Sequence, residues 1–80
     1  MSVKIRLRNT GKRTHPFYRI IVSDSRDKRD GRYVEEIGTY DPISEEISVN
    51  EKALEIWLKY GAMPTDTVNE LLISKGIVTP

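Results

Sequence analysis

The 80-residue chain has no cysteine, one histidine, one tryptophan and one phenylalanine. Without cysteine there is no disulfide, no thiolate metal site and no thiol nucleophile, and a small extracellular domain normally relies on cross-links. No run approaches the roughly 18 apolar residues that span a membrane, and Met1-Ser2-Val3-Lys4 leads into charged alternation rather than an apolar signal segment. A cytoplasmic protein without a membrane partner is therefore expected. Apolar residues make up 38% and charged residues 31% of a chain this short, which suits one domain over residues 1–80. A single core below about 80 residues seldom supplies more than roughly 3–5 kcal/mol net, so a stabilising partner is expected.

The formal net charge of +1 conceals a polarity. Residues 1–32 carry ten basic side chains against three acidic ones, a balance of +7, whereas residues 33–80 carry three against nine, a balance of −6. A chain polarised in this way offers one cationic region to a polyanion while the remainder stays soluble.

Val3, Ile5 and Leu7 alternate with Lys4, Arg6 and Arg8, the period-two pattern of a strand with an apolar face and a wet, wholly cationic one. Cations on that face would stand about 6.6 Å apart, close enough to follow a phosphate backbone. Residues 9–15 contain Gly11, Lys12, Arg13 and His15 and read as a basic loop, with Pro16 at the edge of the next strand. Phe17 to Ser23 has strand composition. If Arg19 faces water, Tyr18, Ile20 and Val22 face the core, and Phe17 joins Ile21 on the charged side. Phe17 then either stacks on a base or packs beneath the loop of residues 9–15.

Residues 25–32 contain no apolar side chain and read as an exposed basic loop with Arg26, Lys28, Arg29 and Arg32. Tyr33 to Tyr40 returns to strand composition, with Gly38 marking a bulge or a close backbone approach. Asp41-Pro42-Ile43-Ser44 is a turn, and a short strand over 47–49 is expected. Asn50 and Gly61 bracket a helix over 51–60 with Ala53, Leu54, Trp57 and Leu58 as its apolar stripe. A second helix, capped by either Thr65 or Thr67, buries Val68, Leu71 and Leu72 and ends at Gly76. The expected fold class is α+β, one mostly antiparallel sheet of four to five strands packed against two short helices.

Catalysis has no foothold. His15 has no carboxylate near it in sequence, and no nucleophile elbow, Walker loop or dinucleotide-binding turn occurs among five glycines. No cofactor or small-molecule substrate is expected. Asp24, Asp27, Asp30 and Gly31 lack the alternate spacing of a calcium loop and lie among arginines, so no metal is expected there either. These aspartates suit turn hydrogen bonds that hold the neighbouring arginines. Nucleic-acid binding through backbone and shape fits better, since the cations fall on one strand face, in two loops and at Arg19. Tyr33, Val34 and Ile37 do not form a base-stacking sheet motif. A metal-assisted nuclease using Asp24, Asp27 or Asp30, and a module for an acidic protein partner, are the alternatives.

Five ordered motifs spanning almost the whole chain resemble the family of bacterial small-subunit ribosomal protein number sixteen. They are Val3-Lys4-Ile5-Arg6-Leu7, Pro16-Phe17-Tyr18-Arg19-Ile20-Ile21-Val22, Asp24-Ser25-Arg26 with Arg29-Asp30-Gly31-Arg32, Ile37-Gly38-Thr39-Tyr40-Asp41-Pro42, and Pro64-Thr65-Asp66-Thr67-Val68. The resemblance implies a sheet of four or five strands with two helices. It also implies a non-enzymatic, primary binder of small-subunit ribosomal RNA in its 5′ and central regions, acting early in assembly to stabilise a folded RNA junction. RNA contacts are implied on Lys4, Arg6, Arg8, Lys12, Arg13, Arg19, Arg26, Arg29 and Arg32. The residue-level reading adds His15, Phe17 and Lys28. Neighbouring small-subunit ribosomal proteins are further expected partners, with a monomer expected when the protein is free. The loop of residues 9–15 is less basic than is usual in the family, so no contact is carried to Asn9 or Thr14. The chain stops at Thr79-Pro80 without the charged tail of many members, so no tail contact is carried over.

Overall fold

Alternating apolar residues in the first half of the chain build a five-stranded sheet, and the second half lays two helices on one of its faces. A computed structural model describes residues 3–24, 26 and 33–78. The strands are β1 (Val3–Asn9), β2 (Tyr18–Asp24), β3 (Glu35–Asp41), β4 (Glu46–Val49) and β5 (Met63–Pro64), and the helices are α1 (Glu51–Lys59) and α2 (Asp66–Ser74). The sheet order is β4-β3-β2-β1-β5. Every pairing is antiparallel except β1 with β5. The α+β class read from the sequence is the fold observed.

The register puts Ile5 opposite Val22 and Leu7 opposite Ile20, so the apolar faces of β1 and β2 coincide. Ile5, Ile20 and Val22 join Ile37, Leu54, Ala62, Val68 and Leu72 in one buried cluster, which places both helices on that side. Leu58, expected on the stripe of α1, remains 37% exposed. It sits at the edge of the contact surface, where Leu54 and Trp57 already meet the core. Trp57 also ties α1 to β3, its Nε1 donating to Glu35 Oε2 at 3.0 Å.

Helix ends follow local chemistry. Asn50 Oδ1 accepts from Ala53 N at 3.1 Å and Thr65 Oγ1 from Val68 N at 3.4 Å, so Thr65 rather than Thr67 caps α2. Glycines with positive φ, Gly61 and Gly76, follow the two helices. No helix among the described residues is long and apolar enough to cross a membrane.

Gly38 is a point of close approach, as its place in a strand suggested. The β2–β3 register shifts between Ile20 and Ile21, where Gly38 faces Ile20 and Glu36 faces Ile21. A Cβ on Gly38 would lie 2.4 Å from the Ser48 carbonyl oxygen. That oxygen is backbone of the paired strand and cannot swing away. Gly38→Ala is expected to destabilise the protein by roughly 1–3 kcal/mol, a cost typical of forced overpacking. Thermal unfolding checks this, and an unchanged midpoint would show that β4 yields without cost.

Candidate nucleic-acid interface

Strand parity places Lys4, Arg6 and Arg8 on the β1 face turned away from the helices, and Arg19 joins them from β2, directly opposite Arg8. Among the described residues this face is cationic but not wholly wet. Ile21 is 0% and Ser23 3% exposed, although both point to the charged side. Arg6 stands opposite Ile21, and its Nε donates diagonally to Ser23 Oγ at 3.1 Å. Its aliphatic stem can cover apolar surface while its remaining N–H groups stay outward. Arg8 carries its guanidinium 5.7 Å from the centre of the Tyr33 ring, a cation–π distance. Nothing local in the sequence indicates that Tyr33, set aside there as a stacking residue, comes to lie beside Arg8.

Arg19 is not an idle cation. Its Nη1 is hydrogen-bonded and ion-paired to Glu36 Oε1. That hydrogen bond, reinforced by the charge of Glu36, raises the guanidinium above its already high ordinary range. The pair also relieves the repulsion of Arg8 against Arg19 across the strands.

The segment between β1 and β2 is a compact hairpin rather than a loose loop. Lys12 N donates to His15 O at 3.1 Å and His15 N to Lys12 O at 3.0 Å. Thr10 N and Gly11 N both donate to Phe17 O, and Asn9 Oδ1 accepts from Gly11 N. A Cβ on Gly11 would lie 2.3 Å from Phe17 N, so the fold of this segment depends on glycine there. Lys12, Arg13 and His15 are thereby held exposed at one end of the sheet. Phe17 is half-buried and borders a shallow hollow with Thr39, Asp41, Glu46, Ile47 and Ser48. It thus lies toward β3 and β4 and beside two carboxylates, rather than in the row of cations.

At the other end, Asp24 closes β2. Its Oδ1 accepts from Arg26 N at 2.9 Å, and its Oδ2 lies 3.4 Å from Arg26 Nη2. This is the turn role expected of the aspartates, observed at Asp24. Lys28, Arg29 and Arg32, together with Asp27 and Asp30, lie outside the described residues. Among the described residues no three His, Cys, Asp or Glu side chains gather as a metal site would require.

The acids sit elsewhere. Glu35 and Glu36 are on β3, Glu46 is on β4, and Glu51 and Glu55 are on α1. Across the sheet, charge therefore changes sign from β1 and β2 toward β4, with the Arg19–Glu36 pair at the boundary.

Two turn carboxyls respond to acid. The Arg26 backbone N–H, then the Arg26 side chain, hold Asp24 below the ordinary value of 3.8, and the Ile43 backbone N–H does most to hold Asp41 below it. A carboxyl depressed by folding stabilises the fold above its unfolded pKa, and that stabilisation is lost as pH falls through the folded value. The thermal midpoint should therefore drop as pH falls below about 4. Asp41→Asn, whose Oδ1 can still accept from Ile43 N and Ser44 N at any pH, should drop less steeply. Identical acid limbs for variant and wild type would remove Asp41 from this account.

The family model described as ribosomal protein S16 matches residues 9–65. The small ribosomal subunit protein bS16 of Alkaliphilus oremlandii (strain OhILAs) is 55% identical over 80 residues, covering 98% of this chain and 99% of that protein.

Proposed function

Because the chain belongs to the ribosomal protein S16 family, a structural and non-enzymatic family of the small ribosomal subunit, we propose that it acts there by clamping ribosomal RNA electrostatically. Lys4, Arg6 and Arg8, the Lys12–Arg13 hairpin, Arg19 and Arg26 neutralise phosphates that repel one another when RNA helices are brought together. Lys28, Arg29 and Arg32 extend the same cationic segment in sequence. His15 adds a neighbouring polar group at the hairpin. No bond is made or broken, and the protein works by lowering the cost of a folded RNA junction early in assembly, in the cytoplasm, before neighbouring subunit proteins join.

The observation that carries this reading is the placement of the β1 and β2 cations on the face opposite both helices. The acidic strands β3 and β4 repel phosphate from the far side and so orient the bound protein. Arg19 contributes to a phosphate with the N–H groups that Glu36 leaves, and the pair sets the border of the contact. Hydroxyl-radical footprinting of naked small-subunit RNA tests the proposal. The expected result is protection of sugars around one multi-helix junction. Uniform or absent protection at saturating protein would overturn it.

A further inference from the structure

Three of the sequence motifs contain uncharged residues that the cationic face leaves unexplained. Tyr18 opens β2 beside the hairpin, Tyr40 lies near the end of β3 with Pro42 just beyond it, and Thr65 caps α2 with Thr67 in its first turn. These five meet, with Arg6, Leu7 and Leu71, around one open groove of about 590 Å3. It lies on the helix side of the sheet, since Tyr18 shares the parity of Ile20 and faces Tyr40 across the strands. The two phenol rings stack with centroids 6.4 Å apart and an interplanar angle of 27°. Both are only half-buried, so the stack keeps an accessible surface.

The lining chemistry narrows the occupant. The hollow between α1 and residues 77–78 has Glu51 and Glu55 on its wall, that over β3 and β4 has Glu36, and that beside Phe17 has Asp41 and Glu46. Among the described residues the Tyr18–Tyr40 groove has no carboxylate on its lining, and Arg6 borders it at the β1 edge while its side chain lies on the opposite, cationic face. Its volume falls in the range of small-ligand pockets, roughly 300–1,000 Å3. Thr65 is engaged as the α2 cap, whereas the Tyr18, Tyr40 and Thr67 hydroxyls hold no hydrogen bond among the described residues. Aromatic faces, free hydroxyls and an adjoining cation form the surface on which proteins stack unpaired bases.

The groove is also continuous with the cationic region. Tyr18 stands opposite Asn9, where β1 runs into the Lys12–Arg13 hairpin. β5 pairs with β1 only at Lys4 and Ile5, so among the described residues the β1 edge from Arg6 onward has no strand beside it. A single strand of RNA held at the hairpin can pass that edge and turn a base to the other side of the sheet.

We infer that this groove receives one unpaired nucleotide of the bound RNA, its base packed against the Tyr18–Tyr40 stack and its phosphate left toward Arg6 and the hairpin. The inference rests on the RNA-clamping reading and adds to it a contact that depends on stacking rather than charge. It is tested by measuring the affinity of the whole protein for naked small-subunit ribosomal RNA across a salt series, with each variant's thermal midpoint recorded. Tyr40→Leu should weaken binding about tenfold, as expected for losing a base–aromatic stack, with no change in salt dependence. Tyr40→Phe keeps the ring and should bind nearly as wild type. Thr67→Trp should fill the groove mouth from an exposed position that is not the helix cap, and should weaken binding similarly without lowering the midpoint.

If wild type binds with steep salt dependence while Tyr40→Leu and Thr67→Trp bind equally well, the groove is empty and only this inference falls. If Tyr40→Leu loses affinity only along with its midpoint, and Thr67→Trp binds normally, the stack is structural and the inference also falls. If wild type itself fails to bind, the clamping reading falls with it.

Discussion

Lys12→Glu with Arg13→Glu should weaken binding to small-subunit ribosomal RNA by about a hundredfold at moderate salt, whereas Lys52→Glu with Lys59→Glu should change it by less than about threefold. Both double variants alter net charge by the same amount, so total charge does not distinguish them. Position does. Lys12 and Arg13 are exposed on the hairpin between the two cationic strands, whereas Lys52 and Lys59 lie on α1. Lys59 is engaged with Glu55 at 3.3 Å. The hairpin is chosen because its backbone bonds do not involve those side chains. Arg6 and Arg8 are less suitable, since Arg6 bonds to buried Ser23 and Arg8 lies over Tyr33. Equal losses in the two double variants, measured by filter binding, would mean that the charge polarity of the chain has no functional consequence.

Ile5→Ala should leave most of the free protein unfolded at 25 °C. Ile5 is 0% exposed, on a strand flanked by β2 and β5, and belongs to the apolar cluster that joins sheet and helices. Truncating such a residue costs about 2–5 kcal/mol. A domain of this length holds only roughly 3–5 kcal/mol in total. RNA that binds the folded form alone restores about 2.7 kcal/mol at a hundredfold excess over its dissociation constant. Circular dichroism should therefore show the variant refolding as RNA is added. A free variant that melts near the wild-type temperature would contradict this estimate of the core.

Much of this was readable before any coordinates. Strict alternation over residues 3–8 identified β1 and the face its cations would share, because a strand leaves no other choice of parity. Asn50 and Gly61 bracketed α1 through capping chemistry that is local to the helix ends. Both Thr65 and Thr67 are competent caps, and only the tertiary position of Pro64, paired with β1 in β5, selects Thr65. β5 itself has two residues and no pattern to read.

The site was legible as a count of charges and not as a geometry. Counting shows Arg19 as a cation, but its pairing with Glu36 depends on the register shift opposite Gly38, which no local property of either residue encodes. Ile21 and Ser23 are buried on the charged face, where Arg6 stands opposite Ile21 and bonds to Ser23, a placement that only the pairing of β1 with β2 sets. Tyr18 and Tyr40 escaped a charge-based search because they carry none. They are 22 positions apart and meet only when β2 and β3 pair.

The salt dependence of RNA affinity tests the central claim most directly. Wild-type protein should lose affinity with a log–log slope of about −5 to −6, on the order of seven phosphates at about 0.7–0.9 each. Lys12→Ala with Arg13→Ala should reduce the magnitude of that slope by about 1.5. An affinity indifferent to salt, or a slope that the double variant leaves unchanged, would contradict the assignment of the β1–β2 face and its hairpin as the phosphate-binding surface.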